Sequence, residues 1–140
     1  MIKAFVDTNV LISAAYKSTG HSRELIFRAV KGDFRPYVTN RNLISARLKL
    51  EEIAPRTVNT FDQLVADLAP AIVKDPIEEE VLRYLDKVRK PSDAYIVTAA
   101  TKANCEYVVT WNVRDFIKEN LEMIKVVTPA EFIGVLNSAL

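Results

Sequence analysis

Five residues, Ile2-Lys3-Ala4-Phe5-Val6, run without a break into Asp7, and this junction constrains the chain most. A short run of β-compatible residues with no alternation predicts a strand covered on both faces, the pattern of a parallel sheet. Immediately after it, Val10, Leu11, Ala14 and Ala15 recur at helical spacing, with Thr8 or Asn9 as expected caps. Asp7 is thereby predicted at the carboxyl end of a central strand, where open α/β sheets bind ligands. A carboxylate there is costly to desolvate unless a cation or hydrogen-bond donors meet it. The helix N-terminus alone could satisfy it, so structural capping stands beside a metal or catalytic role.

The same alternation continues. Ser22 to Val30 reads as a capped helix ended at Gly32, and Pro36 to Thr39 as a second strand. Asn40 to about Glu52 reads as a helix with Leu43, Ile44, Leu48 and Leu50 as its apolar positions, stopped by Pro55. Thr57 or Asn59 is expected to start the next helix, and Pro70 to stop it. Ala71-Ile72-Val73 is a candidate third strand, and Pro76 is expected to open a helix whose Glu78, Glu79 and Glu80 form a solvated face. Pro91 begins an almost wholly apolar helix with Ser92 or Asp93 at its cap. Tyr107 to Thr110 and Ile124 to Val127 are further strands, and Pro129 opens the last helix. Strands separated by helices imply an α/β fold, a three-layer α/β/α sandwich around a mostly parallel sheet, with residues 1–140 as one domain.

Composition excludes several classes of function. With one histidine (His21) and one cysteine (Cys105), zinc sites, disulfides and a Ser/His/Asp triad have too few members. Cys105 reads as a reduced core thiol of a cytoplasmic protein. Three glycines cannot build a glycine-rich phosphate loop. No stretch is apolar for the roughly 20 residues of a membrane span, so no membrane partner is expected. The net charge of +1 leaves a nucleic-acid partner open, because a local basic face matters more than the total.

Asp7, Asp93 and Asp115 each lie at a predicted strand end or helix start, so they are expected to converge on one edge of the sheet. Two carboxylates 4 Å apart repel by about 4 kcal/mol at an effective dielectric of 20. Such a cluster persists through protonation, through pairing with Lys or Arg, or through a divalent cation; an oxygen-only site favours Mg²⁺ or Mn²⁺. Such a cation polarises a phosphoryl oxygen and acidifies water, the requirements for in-line phosphodiester hydrolysis. Asn112 is a further candidate ligand, and Thr8, Asn9 and Thr110 are expected to orient ligands or waters. Ordinary N-capping is the alternative for Asp93 and Asp115 taken singly. Lys17, His21, Arg23, Arg41, Arg47 and Arg114 are candidate phosphate contacts, with Arg114 favoured. Trp111 is a candidate for base stacking or for plain packing.

Asp7-Thr8-Asn9-Val10-Leu11-Ile12-Ser13-Ala14 resembles the opening motif of PIN-domain ribonucleases. Pro91 to Ala100 is similar to their third motif, Val108 to Phe116 to their last, and Val127-Thr128-Pro129-Ala130-Glu131-Phe132 to the closing segment of many bacterial members. The resemblance implies a Mg²⁺- or Mn²⁺-dependent endoribonuclease acting on RNA. For small members it implies the toxin of a bacterial or archaeal toxin–antitoxin pair, with an antitoxin protein as partner and a homodimer as the assembly. It places Asp7 and Asp93 at the first and third family acids, and has Asn112 where aspartate is common, with Asp115 three residues on. The second family acid falls near Ser45 and Ala46, neither of which is acidic. Glu51 and Glu52 lie further along; a six-residue shift on a helix is about 9 Å, too far for a substitute. A module that keeps the fold and binds RNA or protein without cutting is therefore the alternative. A receiver-like phosphotransfer domain fits less well, since Thr8 and Asn9 supply no paired acid.

Overall fold

In a computed structural model, which describes residues 1–139, five parallel strands form one sheet in the order β3-β2-β1-β4-β5. The strands are β1 (Lys3–Val6), β2 (Arg35–Thr39), β3 (Ala71–Val73), β4 (Tyr107–Val109) and β5 (Lys125–Val127). The helices are α1 (Thr8–Tyr16), α2 (His21–Val30), α3 (Asn40–Ile53), α4 (Val58–Leu68), α5 (Glu78–Leu82), α6 (Pro91–Lys102) and α7 (Pro129–Ser138). The expected α/β/α sandwich is the observed architecture, with all pairings parallel.

The unalternated run at the N-terminus has the predicted cause. Ala4 and Val6 enter a core shared with α1, α2, α3, α4 and α7, whereas Phe5 enters a second core built largely on α6. From Ala4 to Val6 both faces of β1 are dry, so both parities there are apolar. Three phenylalanines, Phe5, Phe34 and Phe132, are fully buried. Each contributes about 1.5–3 kcal/mol of burial, and Phe34 and Phe132 meet edge to face at 4.9 Å. In α6, Ala94 through Ala100 are all buried, as expected for a helix closed in on every side.

Several boundaries differ from the sequence reading, each for a local reason. Asp7 itself, not Thr8 or Asn9, caps α1, its Oδ1 accepting from the Thr8 N–H. On α3 the inward stripe is Asn42, Ala46 and Leu50, while Ile44 and Leu48 are exposed; spacing of four selects either set, and the Thr39 cap orients the helix. Pro55–Thr57 form a 3-10 turn ahead of α4. Helix α5 begins at Glu78, two residues after Pro76, with Glu80 bonding back to the Ile77 N–H. Lys90 rather than Ser92 or Asp93 occupies the cap position of α6, and Asp93 sits inside the first turn.

The chain winds outward from β1 through β2 to β3, then crosses back to lay β4 on the other side of β1. The break in winding direction falls between β1 and β4, the topological switch point at whose carboxyl edge ligands bind in doubly wound sheets. Asp7 follows β1 at that edge; its N–H donates to Val109 O of β4 at 3.0 Å.

Candidate active site

The first wall of the site is the β1–α1 junction. Asp7 is 6% exposed, and burial pushes its carboxyl above the usual carboxylate range. Two donors oppose that push: the Thr110 hydroxyl, 2.8 Å from Oδ2, and the Thr8 N–H, 2.7 Å from Oδ1. The Asn9 amide is a longer third contact to Oδ2 at 3.4 Å and also donates to Thr110 Oγ1 at 3.2 Å. An ionised carboxylate has about four acceptor sites, so these donors fix the side chain without exhausting it.

The second wall is α3. Thr39 ends β2, and its hydroxyl caps α3 by accepting from the Asn42 N–H at 3.1 Å. Asn42 is buried, accepts from Thr39 Oγ1 at 2.6 Å and donates to Thr8 Oγ1 at 2.8 Å, tying α3 to the Asp7 loop. Arg41 and Ser45 flank Asn42 at the cleft. Nothing in the sequence singled out Asn42 beyond its place three residues after Thr39, the spacing of a capping threonine and its partner.

The third wall is the N-terminal turn of α6. Asp93 faces the same cleft as Asp7, which is also lined by Thr8, Arg41, Asn42 and Ser45 and has a volume of about 230 Å³. Asp93 Oδ2 is enclosed and meets no hydrogen-bond donor. Burial, then the charges of Asp7 and Asp115, push the Asp93 carboxyl up to about 6, with Lys90 opposing. Capping therefore does not account for Asp93. A buried carboxylate oxygen without a donor, in a cleft shared with a second carboxylate, is the arrangement expected where a cation belongs.

Asp7 and Asp93 are thus brought to one cleft, and Ser45, where the sequence resemblance would put the second family acid, opens onto it while Ala46 is fully buried. Three other expected members are placed differently. Asp115 lies in a 3-10 turn after β4, pairs with Lys90 at 3.3 Å and adds its negative charge to that of Asp7 at Asp93. Asn112 is exposed, its N–H donating to Thr110 Oγ1 at 3.1 Å, so this segment supports Thr110 rather than entering the cleft. Arg114 also lies outside the lining, its carbonyl accepting from Arg89 Nε; the cleft cation is Arg41. Trp111 is 42% exposed and donates from Nε1 to Ser22 Oγ at 3.0 Å.

The donor set fits a hard divalent cation. Among the described residues no cluster of three His, Cys, Asp or Glu side chains could hold a metal. Mg²⁺ does not require one: it keeps several waters and commonly takes one or two carboxylates together with substrate phosphates.

Fold and cleft together define a doubly wound α/β domain with paired carboxylates at its switch point. A family model for the PIN domain matches residues 3–114, and the chain belongs to that family, whose fold is of the nuclease type. No curated protein matches the chain. Among the described residues no helix is long and apolar enough to cross a membrane.

Proposed function

We propose that this chain is a Mg²⁺- or Mn²⁺-dependent endoribonuclease that hydrolyses RNA phosphodiesters at the Asp7–Asp93 cleft. The observation that carries the reading is the donor-less, enclosed Oδ2 of Asp93 in the same cleft as Asp7. Asp7 and Asp93 would hold the ion, which supplies Lewis acidity toward a phosphoryl oxygen and offsets the charge of the phosphodiester. Thr110, Thr8 and Asn9 hold Asp7 in one orientation, so a fixed oxygen is presented to the cleft before any ligand arrives. Asn42 keeps Thr8, and with it the N-terminal turn of α1, against the α3 wall. Asp115 holds Lys90 beside Asp93, which tempers the charge there without filling the cleft. Small size and resemblance to the compact bacterial and archaeal members support a cytoplasmic toxin of a toxin–antitoxin pair, with an antitoxin partner and a homodimeric state.

A second reading, a PIN-like module that binds RNA or protein without cutting it, is favoured by Ser45 at the acid position and by Asp115 being engaged with Lys90. Cleavage of a labelled RNA in Mn²⁺ by the parent chain and by Asp7→Asn separates the two. Turnover in the parent and its loss in the variant support the nuclease. RNA binding without cleavage in both supports the module.

A further inference from the structure

We propose that Arg41 is the phosphate anchor of this cleft, holding the nucleic-acid backbone against α3 opposite the two carboxylates; the proposal rests on the nuclease reading of the same site. Arg41 is the second residue of α3 and lines the cleft with Asp7 and Asp93. Its guanidinium lies 4.5 Å from the ring centroid of Tyr95. That ring is itself immobilised. Tyr95 is buried on α6, its hydroxyl donating to the Asp75 carboxylate and lying 3.0 Å from Thr39 Oγ1. The Arg41 N–H donates to Asp75 Oδ1 at 3.4 Å, so backbone and ring platform share one support. A guanidinium stacked on a fixed aromatic face keeps its N–H fork free and loses less freedom when it engages a bidentate acceptor.

Its charge is also uncommitted. Among the described residues Arg41 forms no ion pair, whereas Arg28 and Arg47 are both paired with carboxylates. The cation that eases Asp93 is Lys90, not Arg41. Positive and negative side chains thus face one cleft without neutralising each other, an arrangement completed by an anion on one side and a cation on the other. A phosphodiester supplies the anion, and its non-bridging oxygens match the guanidinium fork. Ser45, one turn along from Arg41, adds no carboxylate to the cleft lining on α3, and the nearby Asp75 carboxylate is engaged by the Tyr95 hydroxyl and the Arg41 N–H.

The test is binding of a fluorescent single-stranded RNA to the full chain in EDTA, where nothing is cut, followed by anisotropy across a range of salt. Loss of one phosphate contact lowers the slope of log affinity against log salt by about 0.7 on a single strand. Arg41→Ala is expected to weaken binding about five- to tenfold at low salt and to lower the slope by that amount, with the fold retained and the melting temperature lowered by only a few degrees, since what is lost is one exposed contact with the Tyr95 ring. Arg41→Lys should keep the slope and recover part of the affinity. Arg35→Ala removes an exposed cation at the opposite, amino edge of the sheet and should leave both quantities as in the parent. Equal effects of Arg35→Ala and Arg41→Ala, an Arg41→Ala protein that binds like the parent, or a parent that does not bind the strand would each overturn the proposal. Cleavage plays no part in the readout, so a chain that binds through Arg41 and never cuts would sink the nuclease reading alone.

Discussion

Asp7 and Asp93 are the same residue in the same cleft, and the protein holds them in opposite ways. Asp7 stands at a strand end among donors, from Thr8, Thr110 and more distantly Asn9, and it caps α1. Asp93 stands in a helix turn with one oxygen enclosed and no donor to it. The first is part of the scaffold as well as the site; the second contributes nothing to folding that its charge does not take away. Removing the donors that hold Asp7 should therefore damage stability and chemistry together, and removing Asp93 should separate them.

The largest expected effect is on turnover. Asp7→Asn should lower RNA cleavage about a thousandfold, equivalent to ~4 kcal/mol of transition-state stabilisation, while circular dichroism stays native. Next comes the support of Asp7. Thr110→Val removes the hydroxyl at 2.8 Å and leaves a buried carboxylate short of a donor, which should destabilise the fold by about 2 kcal/mol in urea titrations. A Thr110→Val protein as stable as the parent would mean that Asp7 is not held as described.

Asp93→Asn should split the two readouts. Its carboxyl titrates near 6 in the fold against 3.8 in the ordinary state, so between those values the folded chain binds more protons than the unfolded one. Stability contributed by this group is thus full below about pH 4, falls as pH rises through 6, and is absent above it. In metal-free buffer Asp93→Asn should therefore be more stable than the parent at pH 7.5, by about 1 kcal/mol after discounting for a half-open carboxyl, and indistinguishable at pH 4. Cleavage should nevertheless fall strongly. An Asp93→Asn protein less stable than the parent at pH 7.5 would contradict the contrast between the two acids. The smallest effect is expected for Asp115→Asn: its partly exposed pair with Lys90 stabilises by at most about 1 kcal/mol, and turnover should stay within about threefold. A loss comparable to that of Asp7→Asn would bring Asp115 back among the ligands.

Much of the fold was legible because it depends on composition along short windows. The mostly apolar run Ile2 to Val6 announced a two-sided central strand, and Pro129 and Gly32 marked a helix start and end that the backbone follows. Even the three-residue β3 could be anticipated between Pro70 and Pro76. The site was legible only as far as position along the sheet edge determines it, which brings Asp7 and Asp93 together. Side-chain commitments were not legible. Asp115 is diverted by Lys90, and Arg41 is aimed by Tyr95, fifty-four positions away on another helix. On α3 the apolar positions Leu43 and Leu50 do face the core, while Ile44 and Leu48 are exposed and Asn42 and Ala46 are buried in their place, a choice of face that helical spacing alone does not make.

The most direct test of the paired-carboxylate cleft is a crystal of the chain soaked in Mn²⁺ and measured at the manganese edge. The account requires one anomalous peak bounded by Asp7 and Asp93, lost in a crystal of Asp93→Asn. A peak elsewhere, or none at millimolar Mn²⁺ with both carboxylates ordered and the cleft open, would contradict it.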